Sequence, residues 1–163
     1  MKRLYLLIAL ALTLPMALFT SCDDDDKDLP DVDFVMDIQN AVYSDGQIYV
    51  VAGDTLEITS LGVINKEANR KAIIPYADYY WDYIRIAQAV VPPFGVDIYI
   101  NKETRVGEHL LEIYAPVYAE DKSPAFSVIQ YTVNVVASPE DLPSDAVTSF
   151  RATPSIQDKD PTK

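Results

Sequence analysis

From residue 34 to residue 136 apolar residues recur at every second position rather than every third or fourth, and they are largely β-branched or aromatic. A period of two marks strands with one face in a core. Residues 34–38 form the first predicted strand, and residues 47–51 follow a Ser44-Asp45-Gly46 turn. Gly53-Asp54 then turns the chain into residues 55–59, where Leu56 and Ile58 point one way and Thr55, Glu57 and Thr59 the other. Residues 62–74 are less regular, and a connection is expected there, helical or looped around residues 66–70.

The pattern resumes at residues 77–83, where Ala77, Tyr79 and Trp81 share one face and Asp78, Tyr80 and Asp82 the other. The acids select the solvent side, so Trp81 is expected to face inward. Residues 84–91 supply another short strand, broken by Pro92-Pro93; Phe94 is expected to fill the core as the chain enters residues 96–100. Two longer strands close the set. Residues 108–118 carry His109, Leu111, Ile113 and Ala115 on one face, and residues 126–136 carry Ile129, Tyr131, Val133 and Val135, with the polar loop 119–125 between them. About seven short strands, turn residues at regular spacing and a tryptophan in the third major strand predict an all-β domain built as a two-sheet sandwich over residues 34–137.

The flanks read differently. Lys2 and Arg3 precede an apolar run over residues 4–18, interrupted only by Thr13 and Pro15. A helix crossing a bilayer needs about 20 apolar residues, so this shorter run, ending in Thr20-Ser21, has the build of a cleaved signal peptide over residues 1–21. Cys22 is the only cysteine, which excludes an internal disulfide. It is either a modified residue or a free thiol beside an ordinary cleavage site, and its position argues for modification, since a lone exposed thiol is reactive. Four aspartates, Lys27 and Asp28 come next, so residues 22–33 are expected to be a solvated acidic tether. A calcium site would need its ligands spaced around a turn rather than stacked in sequence. Asp-Asp-Asp-Asp-Lys also has the form of a protease tag, which the signal peptide upstream disfavours. Residues 138–163 carry Pro139, Pro143, Pro154 and Pro161 among polar residues and read as a mostly disordered tail, with a short docked segment around Val147, Phe150 and Ile156 as the alternative.

Charge removes one class of partner. The chain has 13 Lys and Arg against 25 Asp and Glu; without Lys2 and Arg3 it has 11 against 25, a formal charge of −14. Nucleic acid is not an expected partner, because binding phosphates needs a basic surface. Roughly 110 residues of patterned sequence suffice for one domain and not two.

Phe19-Thr20-Ser21-Cys22 resembles a lipobox, the site at which bacterial lipoproteins receive diacylglycerol on the thiol and are cut before the cysteine. The acidic run behind it resembles the surface-export signal of Bacteroidetes lipoproteins. Inside the domain the resemblance rests on an ordered succession: Gly53-Asp54-Thr55-Leu56-Glu57-Ile58, Tyr79-Tyr80-Trp81-Asp82, Pro92-Pro93-Phe94, Gly107-Glu108-His109-Leu110-Leu111-Glu112-Ile113 and Tyr131-Thr132-Val133-Asn134-Val135. That order is similar to the immunoglobulin-like and PKD-like domains of Bacteroidetes surface lipoproteins over most of residues 34–136, with Tyr83 standing where glycine is usual after Asp82. The resemblance implies an immunoglobulin-like two-sheet β-sandwich of about seven strands, a membrane anchor through lipid on Cys22, and an outer-membrane position facing the cell exterior. Each buried methylene contributes about 0.8 kcal/mol, so two or three acyl chains would hold the protein on the membrane. No activity is implied, because sandwiches host many functions.

Catalytic chemistry finds little to build on. His109 is the sole histidine, so any Ser-His-Asp relay would have to use it, and a zinc site would lack its usual second nitrogen or sulfur ligand. Its place at a strand start favours a structural role. Carboxylates are plentiful, yet no spacing identifies a hydrolytic pair, and the sequence has neither a glycine-rich phosphate loop nor a paired-cysteine motif. No catalytic residue, metal or cofactor is expected. The feature suited to a partner is aromatic: Tyr76, Tyr79, Tyr80, Trp81 and Tyr83 cluster, and Tyr99, Tyr114 and Tyr118 can lie near them. Tyr80 and Tyr83 are the first ligand-binding candidates and Tyr76 the next, for stacking on a sugar or anchoring a protein. Stiffening of an exposed strand face is the alternative use. The leading expectation is a non-enzymatic interaction or scaffold module of the envelope. Its alternative is a carbohydrate-binding accessory module of a glycan-uptake system.

Overall fold

Val32, Phe34, Met36 and Ile38 are buried while Asp33, Val35 and Asp37 between them keep part of their surface in water, so the first strand shows the two-residue alternation directly. The computed structural model describes residues 28–67, 70–144 and 147–152. Residues 1–21, read above as a signal peptide, Cys22, the run 23–27 and Ile156 lie outside the described residues.

Ten strands are described: β1 (Val32–Ser44), β2 (Gln47–Val51), β3 (Thr55–Asn65), β4 (Ala72–Ile73), β5 (Ala77–Trp81), β6 (Ile84–Ala89), β7 (Val96–Tyr99), β8 (Gly107–Ala119), β9 (Ala125–Val136) and β10 (Val147–Ala152). Hydrogen-bonded neighbours run in the order β6-β5-β8-β9-β2-β1-β3-β7. The path folds into two layers, β6-β5-β8-β9-β2 and β1-β3-β7, and β1 carries it from one to the other. Its first part pairs antiparallel with β3, from Val32 opposite Asn65 to Gln39 opposite Glu57. Asn40 then takes a left-handed φ of 57°, and Val42–Ser44 pairs with β2 instead. The β1–β2 turn is Asp45-Gly46, both at positive φ, the geometry for which glycine is suited. β2 lies parallel to β9, with Ile48 opposite Val133. The protein is an all-β sandwich.

One core serves both layers. Phe34, Met36, Leu56 and Ile58 from one meet Ile48, Tyr79, Leu111, Ile113 and Val133 from the other, and each such side chain contributes about 1.5–3 kcal/mol by burial. Phe94 is buried, as its place after the proline pair predicts. It also anchors the loop between layers: its carbonyl accepts the Tyr79 hydroxyl at 2.6 Å, and the Pro93 carbonyl accepts the Leu61 N–H at 2.8 Å. Gly95 is required here for space, because a Cβ would lie 2.7 Å from the Ile58 carbonyl oxygen.

Three segments differ from the sequence expectation. Residues 62–65 belong to β3 rather than to a connection, because β1 starts at Val32 and offers them backbone partners. For the same reason the end of the acidic tether is part of the fold: Lys66 Nζ sits 3.1 Å from both Asp31 and Asp33, and the Asp28 carbonyl accepts the Ser123 N–H at 3.3 Å. Lys122 gathers this end of the molecule, 2.6 Å from Glu67 and 3.9 Å from Asp28. Within the stretch read as a mostly disordered tail, Pro139–Asp141 forms a 3-10 turn, and the docked segment given as the alternative is present as β10, which pairs antiparallel with β1 from Met36 opposite Ala152 to Tyr43 opposite Val147. An open strand edge presents unpaired N–H and C=O groups, and β10 satisfies those of β1.

Candidate functional site

On the outer face of the β5-β8-β9 layer the register sets aromatic and apolar side chains in rows. Tyr80, Glu112 and Gln130 lie opposite one another, Asp78, Tyr114 and Val128 make the next row, and Pro116 faces Phe126. Tyr80 and Tyr114 have ring centroids 4.7 Å apart and planes tilted by 54°; Tyr114 and Phe126 are 5.9 Å apart and tilted by 52°. Exposed apolar surface continues outward through Phe126, Val128 and Tyr118, and Ile73 of β4 extends it beside Tyr118. A charged group sits among these rings. Glu112 is only 4% exposed, and its Oε1 accepts the Gln130 amide at 2.7 Å. The cation on this face, Arg85, lies 2.6 Å from Asp78. The Tyr114 phenol is pushed up by burial first, then by the neighbouring Glu112, Tyr80 and Tyr83.

Asp82 and Tyr83 form the two-residue turn between β5 and β6, with φ of 46° and 69°. Both central residues of such a turn are left-handed, which suits Asn-Gly far better than Asp-Tyr. The turn is nevertheless held, through Asp82: its N–H donates to the Leu110 carbonyl at 2.9 Å, its Oδ1 accepts the Leu110 N–H at 2.9 Å, and its Oδ2 lies 2.6 Å from His109 Nδ1. Burial acts to raise the Asp82 carboxyl, but the Leu110 and His109 hydrogen bonds and the charge of Arg105 outweigh it and hold the group below the usual carboxylate range. His109 Nε2 lies 2.7 Å from the Arg105 carbonyl, and Trp81 stacks on the imidazole at 5.1 Å. Both ring nitrogens therefore face acceptors, and the residue is buried in a structural bridge. The consequence is that Tyr83, 76% exposed, is presented at a fixed tip.

The predicted residues thus divide. Tyr80 lies half-buried in the ring cluster with Tyr114, and Tyr83 lies near enough to act on Tyr114 electrostatically. Tyr76 is half-buried just before β5, and no ring contact joins it to the cluster. Tyr99 is on β7, in the other layer, where it lines a cleft of about 270 Å³ with Trp81, Ile86 and Val96. Trp81 faces inward as expected, but at the open end of the sandwich, where it is half-buried. Phe126 and Glu112 were not singled out by sequence reasoning. The alternation of β8 that sends Leu111 and Ile113 inward sends Glu112 and Tyr114 outward, so that signal was present; the contribution of Phe126 depends on its register against Pro116.

Elsewhere a cavity of about 630 Å³ opens where β1 leaves β3. Its lining includes Asn40, Tyr49, Asp54, Thr55 and Glu57 but no histidine, cysteine or basic residue. Among the described residues no group of three metal-ligating side chains converges, and no helix is long and apolar enough to cross a membrane.

No protein-family model and no curated protein matches the chain. Among solved structures, the fibronectin(III)-like modules of Clostridium thermocellum CbhA are similar over 60% of this chain and 96% of theirs, with a TM-score of 0.34 and 19% identity.

Proposed function

We propose that this chain is a non-enzymatic interaction module of a bacterial envelope, tethered to the outer membrane through lipid on Cys22, facing the cell exterior, and engaging a partner protein through the face built on Tyr80, Tyr114 and Phe126. The observation that carries the reading is a sheet face on which Tyr80, Tyr114, Pro116, Phe126 and Val128 stand outward among Asp78, Glu112 and Gln130, with Phe126 59% exposed. Rigid aromatic anchors ringed by apolar surface are what protein interfaces use for binding energy. The held Tyr83 tip extends the same surface.

Tethering is supported by the signal-like leader, the lipobox-like Phe19-Thr20-Ser21-Cys22 and the acidic run after it. The carbohydrate reading remains the alternative, and ring geometry weighs against it. Stacking on a pyranose favours exposed, nearly coplanar rings, whereas Tyr80, Tyr114 and Phe126 tilt against one another by 54° and 52°.

The test is site-specific photo-crosslinking of the full chain in its native host. A photoreactive residue at position 126 or 83 is expected to give a discrete adduct with an envelope protein, and the same probe at position 99, in the other layer, none. Absence of any adduct from positions 126 and 83 would overturn the proposal. A glycan array on the full chain separates the alternative: a glycan retained by the wild type and lost in Tyr80→Ala would replace the protein partner with a sugar.

A further inference from the structure

We infer that Tyr80, Tyr83 and Tyr114 around Glu112 form a recognition site for an alkylammonium group, the head of a lysine side chain presented by the partner protein. The inference rests on the interaction reading above and names the chemistry at its centre.

It begins from the placement of Glu112. Glu112 is 4% exposed on the outward face of a sheet, and an acidic residue so placed is ordinarily matched by a cation. Its only hydrogen bond among the described residues comes from the neutral amide of Gln130. Arg85 is the basic residue of this face, and its guanidinium is committed to Asp78 at 2.6 Å. Among the described residues no lysine, arginine or histidine nitrogen pairs with Glu112 itself.

The rings supply the second half of the argument. Aromatic faces carry negative potential, and rings tilted as walls surround a cation better than parallel rings do. Tyr80 and Tyr114 meet at 54°, Tyr80 lies opposite Glu112 across the strands, and Tyr83, on the turn that follows β5, is close enough to act on Tyr114 electrostatically.

The donor set selects among cations. Gln130 already donates to Oε1 of Glu112, so a guanidinium gripping both oxygens would have to share Oε1 with that amide. An ammonium is a compact point charge and needs only one. The acidic composition of the chain draws such a group toward the surface from a distance.

The test titrates the full chain in detergent with Nα-acetyl-lysine methylamide and with its neutral Nε-acetylated counterpart, followed by NMR of the tyrosine rings. The charged probe is expected to shift the Tyr80 and Tyr114 resonances saturably and the neutral probe not to. Glu112→Gln, which keeps the acceptor for Gln130, and Tyr83→Ala, at an exposed tip, should each weaken binding about tenfold. Should Glu112→Gln fail to fold, Tyr83→Ala carries the comparison. No saturable response to the charged probe, or an equal response to both, overturns the inference. A crosslinked partner found together with a flat titration would remove this site while leaving the interaction module intact.

Discussion

His109 Nδ1 lies 2.6 Å from Asp82 Oδ2, and that contact ties the start of β8 to a hairpin turn whose own residues resist the conformation they adopt. Asp82 is the hinge of this arrangement, since the same carboxylate also receives the Leu110 N–H. Two substitutions should therefore move stability in opposite directions. Asp82→Ala strips partners from a buried imidazole and a backbone N–H and is expected to cost about 1–3 kcal/mol. Tyr83→Gly relieves the left-handed tyrosine and, after the extra chain entropy of glycine, should gain about 0.5–1 kcal/mol. Urea denaturation of both variants checks the pair.

Acid should act through the same carboxylate. Because its folded pKa is depressed, Asp82 contributes stability that is fully present above the ordinary carboxylate value and is lost as pH falls through the depressed one. Urea midpoints followed from pH 5 downward are expected to drop, and Asp82→Asn should show a shallower drop than wild type. An identical acid profile in the two proteins would contradict this assignment.

At the other end of the pH scale the buried phenols dominate. Burial pushes the Tyr79 hydroxyl far above its ordinary value. A raised folded pKa contributes stability that is whole below the unfolded tyrosine value, about 10, and declines as pH rises beyond it. Tyr79→Phe should lower stability at pH 7 by about 1–2 kcal/mol, since the Phe94 carbonyl loses its donor. The same variant should lose less than wild type between pH 9 and 11, measured by denaturant midpoint.

The loop that joins the layers gives a steric prediction. Gly95→Ala would set a Cβ 2.7 Å from the Ile58 carbonyl oxygen, and that oxygen belongs to a paired strand which cannot move freely. A cost of about 1–3 kcal/mol is expected by chemical denaturation, while Gly62→Ala, whose nearest neighbour would be 3.9 Å away, serves as the tolerant control.

Alternation made the inward set legible before any coordinates: Leu56, Ile58, Tyr79, Leu111, Ile113 and Val133 are all buried. Tyr80 was likewise placed outward by counting, whereas counting by two sets Tyr83 on the inward face and it is the left-handed Asp82-Tyr83 turn that exposes it. What counting missed came from partners distant in sequence. Residues 62–65 contain glycine and asparagine and look irregular by themselves, yet β1 lies alongside and supplies their hydrogen bonds. Residues 147–152 sit amid prolines and polar residues, and only the open edge of β1 explains their pairing. Glu112 reads in the sequence as any solvent-side acid, because its neighbours Tyr80 and Gln130 come from β5 and β9.

On the lipid anchor proposed for Cys22, the contacts of Asp28 with Ser123 and Lys122 would set which way up the molecule stands. With acyl chains on Cys22, the six residues from there to Lys27 reach at most about 20 Å, so the β8–β9 loop would rest close above the lipid headgroups. β8 climbs away from that loop at about 3.3 Å per residue, which sets the β5–β6 hairpin roughly 30 Å higher. Tyr83 would then crown the pole most distant from the bilayer, where an arriving macromolecule meets it first.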